Sequence, residues 1–464
     1  MPVRVSTAGR VSIASRFSTT GRVYSKGSDT MPITTTGATV VSGMLRRRSP
    51  KAQALIVALL VAGLLGIFVP GAVSATSSSW KLVPTPSPSV GGSPNDVSGL
   101  YGVAATSAKD AWAVGDYYPL NNGLQTLILR WNGTKWAQVK SPNPGPSPSS
   151  DALFGVAATS ATNAWAVGYY GNVGWTGAGA FQTLILHWNG TKWTKVASPN
   201  PSGSQWGSVL YGVAATSATN AWAVGVYAVY DSGFTPPIAY RTLILHWNGI
   251  RWTQVASPNA GGSSALNYLH GVAATSASNA WAVGQYTTGD TADRTLILHW
   301  NGTSWTQVAS PNPDSSGYDA NYLSGVAATS ASNAWAVGTN EDQTADIDRT
   351  LILHWNGAKW TKVASPSPAL SAQARNDLSG VAATSTSNAW AVGQYYYLNG
   401  ETQVYRTLVL HWNGTKWTKV ASPSPAGYSN FLSSVAATSA SNAWAVGDYY
   451  SYLAQWRTLA IRWQ

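Results

Sequence analysis

Gly325-Val326-Ala327-Ala328-Thr329-Ser330, then Asn333-Ala334-Trp335-Ala336-Val337-Gly338, then Thr350-Leu351-Ile352-Leu353-His354-Trp355-Asn356-Gly357, then Lys359-Trp360-Thr361-Lys362-Val363: this succession recurs along the chain and decides its fold. The string Ala-Trp-Ala-Val-Gly occurs seven times, with its tryptophan at Trp112, Trp165, Trp222, Trp281, Trp335, Trp390 and Trp444. The steps between them are 53, 57, 59, 54, 55 and 54 residues. A period of this size is one supersecondary unit stacked on copies of itself. Four short apolar runs divided by turn residues are four strands, one propeller blade. The expected fold is all-β, a seven-bladed β-propeller of four-stranded blades.

The seventh copy stops at Gln464 without its Lys-Trp strand, and Ser79-Trp80-Lys81-Leu82-Val83-Pro84 reads like the missing piece. Pairing this N-terminal strand (residues 79–84) with the last one would complete the C-terminal blade and remove two open sheet edges. Gly-Val-Ala-Ala-Thr has the smallest side chains and is placed innermost, where seven strands crowd together. The turn in Trp131-Asn132-Gly133-Thr134-Lys135-Trp136 carries an Asn-Gly hairpin signal, since a type I′ turn needs positive φ at both central residues. Trp131 and Trp136 then share a sheet face over Leu129. With no cysteine in the chain, repeated tryptophan packing substitutes for disulfides.

The repeat Ser-Ala-Ser-Asn-Ala-Trp-Ala-Val-Gly followed by Leu-His-Trp-Asn-Gly-Thr-Lys-Trp resembles bacterial propellers of the Asp-box (BNR) and kelch-like groups, over about residues 79–464. An Asp-box is a Ser-x-Asp-x-Gly-x-Thr-Trp turn between third and fourth strands. Here Asn-Gly-Thr-Lys-Trp stands at that point, with Asn in place of Asp and no leading Ser. The resemblance implies the fold; propellers carry many unrelated functions.

The net charge is +11, but residues 1–75 hold nine of the 28 Lys/Arg and one of the 17 acids, Asp29. The rest is only about +3, without a basic stripe, which excludes nucleic acid as a partner. Arg46-Arg47-Arg48 and Lys51 precede an uncharged run from Ala54 to Val69, followed by Gly71-Ala72-Val73-Ser74-Ala75. Residues 44–75 are thus expected to be a signal peptide cleaved after Ala75, with an uncleaved membrane anchor as the alternative. Residues 1–43, rich in Ser, Thr and Gly, are expected to be disordered, or untranslated if Met44 is the true start. The propeller, residues 76–464, is then an exported monomer that meets the membrane only through its leader.

Function is sought where blades differ, because a residue repeated in every blade is explained by the fold. The two–three and four–one loops share an upper face and are long and variable, where binding on a rigid scaffold usually sits. His187, His246, His299, His354 and His411 occupy one repeated position and are assigned structural roles, while His270 stands alone. Arg241, Arg294, Arg349, Arg406 and Arg457 all open third strands and are expected to cap or pair with upper-face carboxylates. Trp175, Phe181, Trp206, Tyr230, Phe234, Tyr396, Tyr397, Tyr452 and Trp456 break the repeat and are the ligand-binding candidates, for a glycan or a protein. Eight acids gather between residues 290 and 348: Asp290, Asp293, Asp314, Asp319, Glu341, Asp342, Asp346 and Asp348. Of these, Glu341, Asp342, Asp346 and Asp348 form a weak candidate Ca²⁺ site; no other cofactor is expected. The expected function is a non-catalytic exported binding propeller. The alternatives are an envelope scaffold, or a glycoside hydrolase or lyase using Glu341 or Glu401.

Overall fold

The computed structural model describes residues 78–88, 97–119, 123–171, 181–202, 207–230, 238–288, 292–313, 320–342, 345–371, 373–400, 402–451 and 455–464. The expected leader, Met44 and residues 1–43 lie outside them, as do Trp175, Trp206, Phe234, Tyr452, Asp290, Asp314, Asp319 and Glu401. Among the described residues no helix is long and apolar enough to cross a membrane.

The chain is all-β, and its antiparallel sheets take a propeller-like arrangement. Sheet five serves as the type, with successive strands Ala320–Ser330, Asn333–Asp342, Ile347–Trp355 and Trp360–Lys362 hydrogen-bonded in sequence order. Sheets one to four open with Val97–Ser107, Ala152–Ser160, Ser208–Ser217 and Asn267–Ser276; sheets six and seven open with Arg375–Ser385 and Ser429–Ser439. Six sheets have four strands, and sheet one gains the two-residue strand Ser149–Ser150 in parallel with Gly123–Trp131. None of these sheets closes on itself. In sheet seven the outer strand is Trp80–Leu82, which pairs with Trp456–Trp463 in the register Trp80↔Trp463, Lys81↔Arg462 and Leu82↔Ile461.

The first strand of each sheet lies innermost, against the first strand of the next. Small residues permit this approach: a Cβ on Gly155 would stand 2.8 Å from the Tyr211 carbonyl oxygen, and one on Gly325 would stand 3.2 Å from the Gly380 Cα. Each first strand also carries a β-bulge, in sheet five between Leu323 and Gly325, that leaves one residue unpaired. Bulges re-aim a side chain and are common beside functional sites. Gly338 faces this bulge, and a Cβ there would lie 2.0 Å from the Tyr322 carbonyl oxygen. The recurring Ala-Val-Gly glycine is therefore a requirement of the bulge.

Tryptophan joins one sheet to the next. Trp131 and Trp136 pair as cross-strand partners with ring centroids 5.9 Å apart, as expected. They do so across a four-residue turn in which Gly133 has positive φ and Asn132 does not, so it is not the type I′ turn the Asn-Gly signal implied. A third tryptophan from the neighbouring sheet inserts between them: Trp444 lies 4.8 Å from Trp131 and 5.0 Å from Trp136. Trp112 does the same to Trp188 and Trp193, and Trp390 to Trp463 and Trp80. Seven Ala-Trp-Ala tryptophans are almost wholly buried, and their indole N–H groups find no oxygen acceptor. Edge-to-face packing instead sets the positive rim of one indole against the π face of another.

The repeated histidines complete the lower edge. His354 Nε2 lies 2.8 Å from Asn333 Oδ1, while Asn333 Nδ2 donates to Thr329 Oγ1 at 2.7 Å. The imidazole packs on Trp335 at 4.2 Å. Sheet one substitutes an ion pair for this contact, Arg130 to Asp110 at 2.9 Å, with the guanidinium over Trp112.

Candidate functional site

Sheet five departs from its siblings just after Ala-Val-Gly. Thr339-Asn340-Glu341-Asp342 continue the second strand where other sheets carry a tyrosine two residues past the glycine. Asn340 is fully buried and donates to Asn321 Oδ1 at 3.1 Å. The next residue, Glu341, lies directly across the ladder from Asp348. Like charges in opposed positions destabilise a sheet, so something must offset this pair.

Sheet six supplies the offset. Arg375, the first residue of its inner strand, reaches Asp348 Oδ1 with Nη1 at 3.0 Å and Asp346 Oδ1 with Nη2 at 2.9 Å. Two residues on, Asp377 accepts from Thr339 Oγ1 at 3.0 Å on one oxygen and from Gln394 Nε2 at 3.2 Å on the other. With a donor on each oxygen, Asp377 is arranged as a carboxylate. Among the described residues no hydrogen bond or ion pair engages the Glu341 carboxyl. Burial, then the charge of Asp377, pushes Glu341 up to about 7, with Arg375 opposing. Burial also raises Asp348, reinforced by Asp377 and Glu341 and countered by Arg375. Burial raises Asp377 too, but its Thr339 and Gln394 donors pull the other way.

Sheet four extends the cluster. Burial raises Asp293, whose carboxylate accepts from Gln285 Nε2 at 2.9 Å. Gln285 Oε1 in turn lies 3.2 Å from His270 Nε2. Because Asp293 fixes which end of the amide donates, Gln285 Oε1 must accept, so the His270 proton resides on Nε2. Burial brings His270 down to about 4, leaving it a neutral imidazole. Carboxyl groups of three neighbouring sheets thus share one electrostatic environment, with Tyr322 raised by burial and by Asp377, Glu341 and Asp348.

The four acids chosen as a Ca²⁺ site are distributed differently by the fold. Asp346 and Asp348 are bridged by Arg375, and Asp342 lies 3.7 Å from Arg349. Among the described residues no group of three or more His, Asp or Glu side chains is arranged to hold a metal ion. Several of the aromatic candidates pack on rings of their own sheets. Phe181 meets Tyr169 edge-on at 4.6 Å, Tyr396 is buried against Tyr405 at 4.8 Å, and Trp456 sits between Phe431 and Tyr450. Tyr230 is half-buried, and Tyr397 is exposed beside Tyr395. Of the strand-three arginines, Arg241 and Arg406 donate to loop carbonyls, and Arg457 donates to Gln455.

Sequence reasoning missed Asp377, Arg375 and the role of His270. The available signal was the residue at each inner-strand bulge, just before Gly-Val-Ala-Ala: Tyr101, Phe154, Tyr211, His270, Ser324, Ser379 and Ser433. Its identity changes from sheet to sheet while its surroundings do not.

No protein-family model matches the chain, and no curated protein matches it. Similar solved structures include YCF48 bound to D1 peptide, at 12% identity and TM-score 0.47, covering 83% of this chain and 96% of that one. An ulvan lyase of polysaccharide lyase family PL25 matches at 9% identity and TM-score 0.47, over 80% of this chain and 92% of its own. A GH74 xyloglucanase from Xanthomonas campestris matches at 14% identity and TM-score 0.45; the match spans 82% of this chain and 55% of the xyloglucanase. These are propeller-like proteins, and such likeness concerns fold alone. It nonetheless corrects the expectation of a non-catalytic binding propeller: the similar structures include two enzymes, so this architecture does not mark the chain as non-catalytic.

Proposed function

We propose that the chain is an exported, seven-bladed propeller that cleaves a neutral glycan by acid–base catalysis, using Glu341 and Asp377 at the inner edge of sheets five and six. The convergence of Glu341 and Asp377 on one patch from neighbouring sheets carries this reading. Pairs of titratable groups held in unlike environments are how one site supplies both an acid and a base. Glu341 keeps its proton near neutrality and would deliver it to the leaving-group oxygen. Asp377, whose two donors oppose the rise that burial imposes, would act in its ionised form, either stabilising the developing positive charge on the sugar or activating water.

The charge around the pair favours a neutral substrate. Arg349 faces Asp342 and Arg375 bridges Asp346 and Asp348, so both arginines are already matched by carboxylates. They offer a uronate no free counter-charge, which argues for hydrolysis of an uncharged polymer over lyase chemistry. The seven-bladed closure is supported by the Trp80–Trp463 pairing, the insertion of Trp444 into sheet one, and the hydrogen bond from Val103 N to Ser434 Oγ. Export follows from the charged, apolar and small-residue segments of 44–75.

Turnover of neutral polysaccharides by the purified chain tests the reading. Glu341→Gln and Asp377→Asn should each lower kcat by about 10²- to 10⁴-fold without changing thermal unfolding at neutral pH by more than a few degrees. Absence of turnover on every neutral polymer, or full activity in both variants, would overturn it.

A further inference from the structure

The seven bulge residues divide the inner edge into two unlike arcs. In sheets one to four they are Tyr101, Phe154, Tyr211 and His270; in sheets five to seven they are Ser324, Ser379 and Ser433. The four rings touch in succession. Tyr101 and Phe154 have centroids 5.7 Å apart, Phe154 and Tyr211 5.4 Å, and Tyr211 and His270 5.3 Å. Tyr101, Phe154 and His270 remain half-buried although they stand on the innermost strands. Three sheets make do with a serine at this bulge; the rings of the other four pack partly on Tyr169, Val209 and Tyr268, yet Tyr101, Phe154 and His270 keep part of their surface open.

We propose that Tyr101, Phe154, Tyr211 and His270 form a stacking subsite for the pyranose rings of a neutral oligosaccharide, leading it to the carboxyl groups of sheets four to six. This rests on the glycan reading above and adds where the sugar is held. A pyranose has an apolar C–H face and a hydroxyl rim, matching an aromatic arc opposite a serine arc. His270 closes the aromatic run and begins the polar one, since its Nε2–H leads through Gln285 to Asp293. Its other nitrogen, Nδ1, is a lone-pair acceptor with no hydrogen-bond partner among the described residues. A neutral imidazole ending in a carboxylate relay suits a hydroxylated ring and gives no charge attraction to a uronate.

Calorimetric titration of the full chain carrying Glu341→Gln, with cellohexaose, xylohexaose and mannohexaose as probes, tests the subsite apart from catalysis. Phe154→Leu and Tyr211→Leu keep apolar bulk but remove the stacking face. Each should weaken binding of the hexasaccharide that binds best by about tenfold, titrated at a temperature where both variants remain folded. Tyr428→Ala, at an exposed ring outside the bulge positions, should change the affinity by no more than about twofold. Unchanged affinity in both leucine variants, no binding of any neutral probe, or tighter binding of matched uronate hexasaccharides would overturn the proposal. If these hexasaccharides bind through the arc yet the unsubstituted chain cleaves none, the subsite stands and the acid–base reading falls.

Discussion

Ser434 Oγ accepts a hydrogen bond from the Val103 N–H at 3.3 Å, tying the inner strand of sheet seven to that of sheet one. The other six sheets carry glycine at this position: Gly102, Gly155, Gly212, Gly271, Gly325 and Gly380. The one junction between residues far apart in sequence therefore has, at this position, a hydroxyl link where the sequential junctions carry only glycine. Ser434→Ala keeps the Cβ and deletes only the hydroxyl. It should cost about 1 kcal/mol, read as a lower urea midpoint with an unchanged slope.

The tryptophan triads are the larger contribution at every junction. Trp444→Ala and Trp281→Ala each remove an indole inserted between two others of the adjacent sheet. Each should destabilise by about 3–5 kcal/mol in chemical denaturation. Trp80→Ala should approach the same loss and also promote aggregation on warming, detected by light scattering, because the Trp456–Trp463 strand becomes an unpaired edge.

Gly338→Ala probes the bulge directly. Its Cβ would collide with the Tyr322 carbonyl at 2.0 Å, which is backbone and cannot swing aside. The bulge must flatten, returning Ser324 to the ladder and shifting Tyr322 against Asp377. The expected result is a drop in melting temperature of several degrees, from a loss of about 2 kcal/mol.

The raised pKa of Glu341 gives a pH signature of definite sign. The folded chain holds this proton up to about pH 7, whereas the unfolded chain releases it near the ordinary value of about 4.3. Its contribution to stability is therefore full below the unfolded value and is lost as pH rises through about 7. Glu341→Gln should match the unsubstituted chain at acid pH and exceed it at pH about 8, by roughly 2 kcal/mol. Chemical denaturation at the two pH values decides it.

The five repeated histidines act in the opposite direction. Burial lowers the pKa of His187, His246, His299, His354 and His411, so the unfolded chain takes up protons first as pH falls below about 6.5. Stability should decline from there toward the lowered folded values. The double change Asn333→Asp with His354→Arg copies the Asp110–Arg130 pair of sheet one. It should keep the neutral-pH midpoint while reducing the acid loss.

The repeat by itself determined the strand order, the turns, the innermost strand and the N-terminal segment that pairs with the last strand. Those features rest on local chemistry, such as Asn-Gly turns, small Gly-Val-Ala-Ala strands and paired tryptophans, and each is written six or seven times. Residues 1–75 were read only from charge and hydropathy. Which side chains share a site was not legible, because Glu341, Asp377 and His270 stand in three different repeats, and only the stacking of sheets brings their fields together. Tertiary structure also decided that Asp346 and Asp348 answer to Arg375, and that Phe181, Tyr396 and Trp456 pack on neighbouring rings. Sequence spacing carries period and pairing within a sheet; burial and charge between sheets exist only once the sheets are packed.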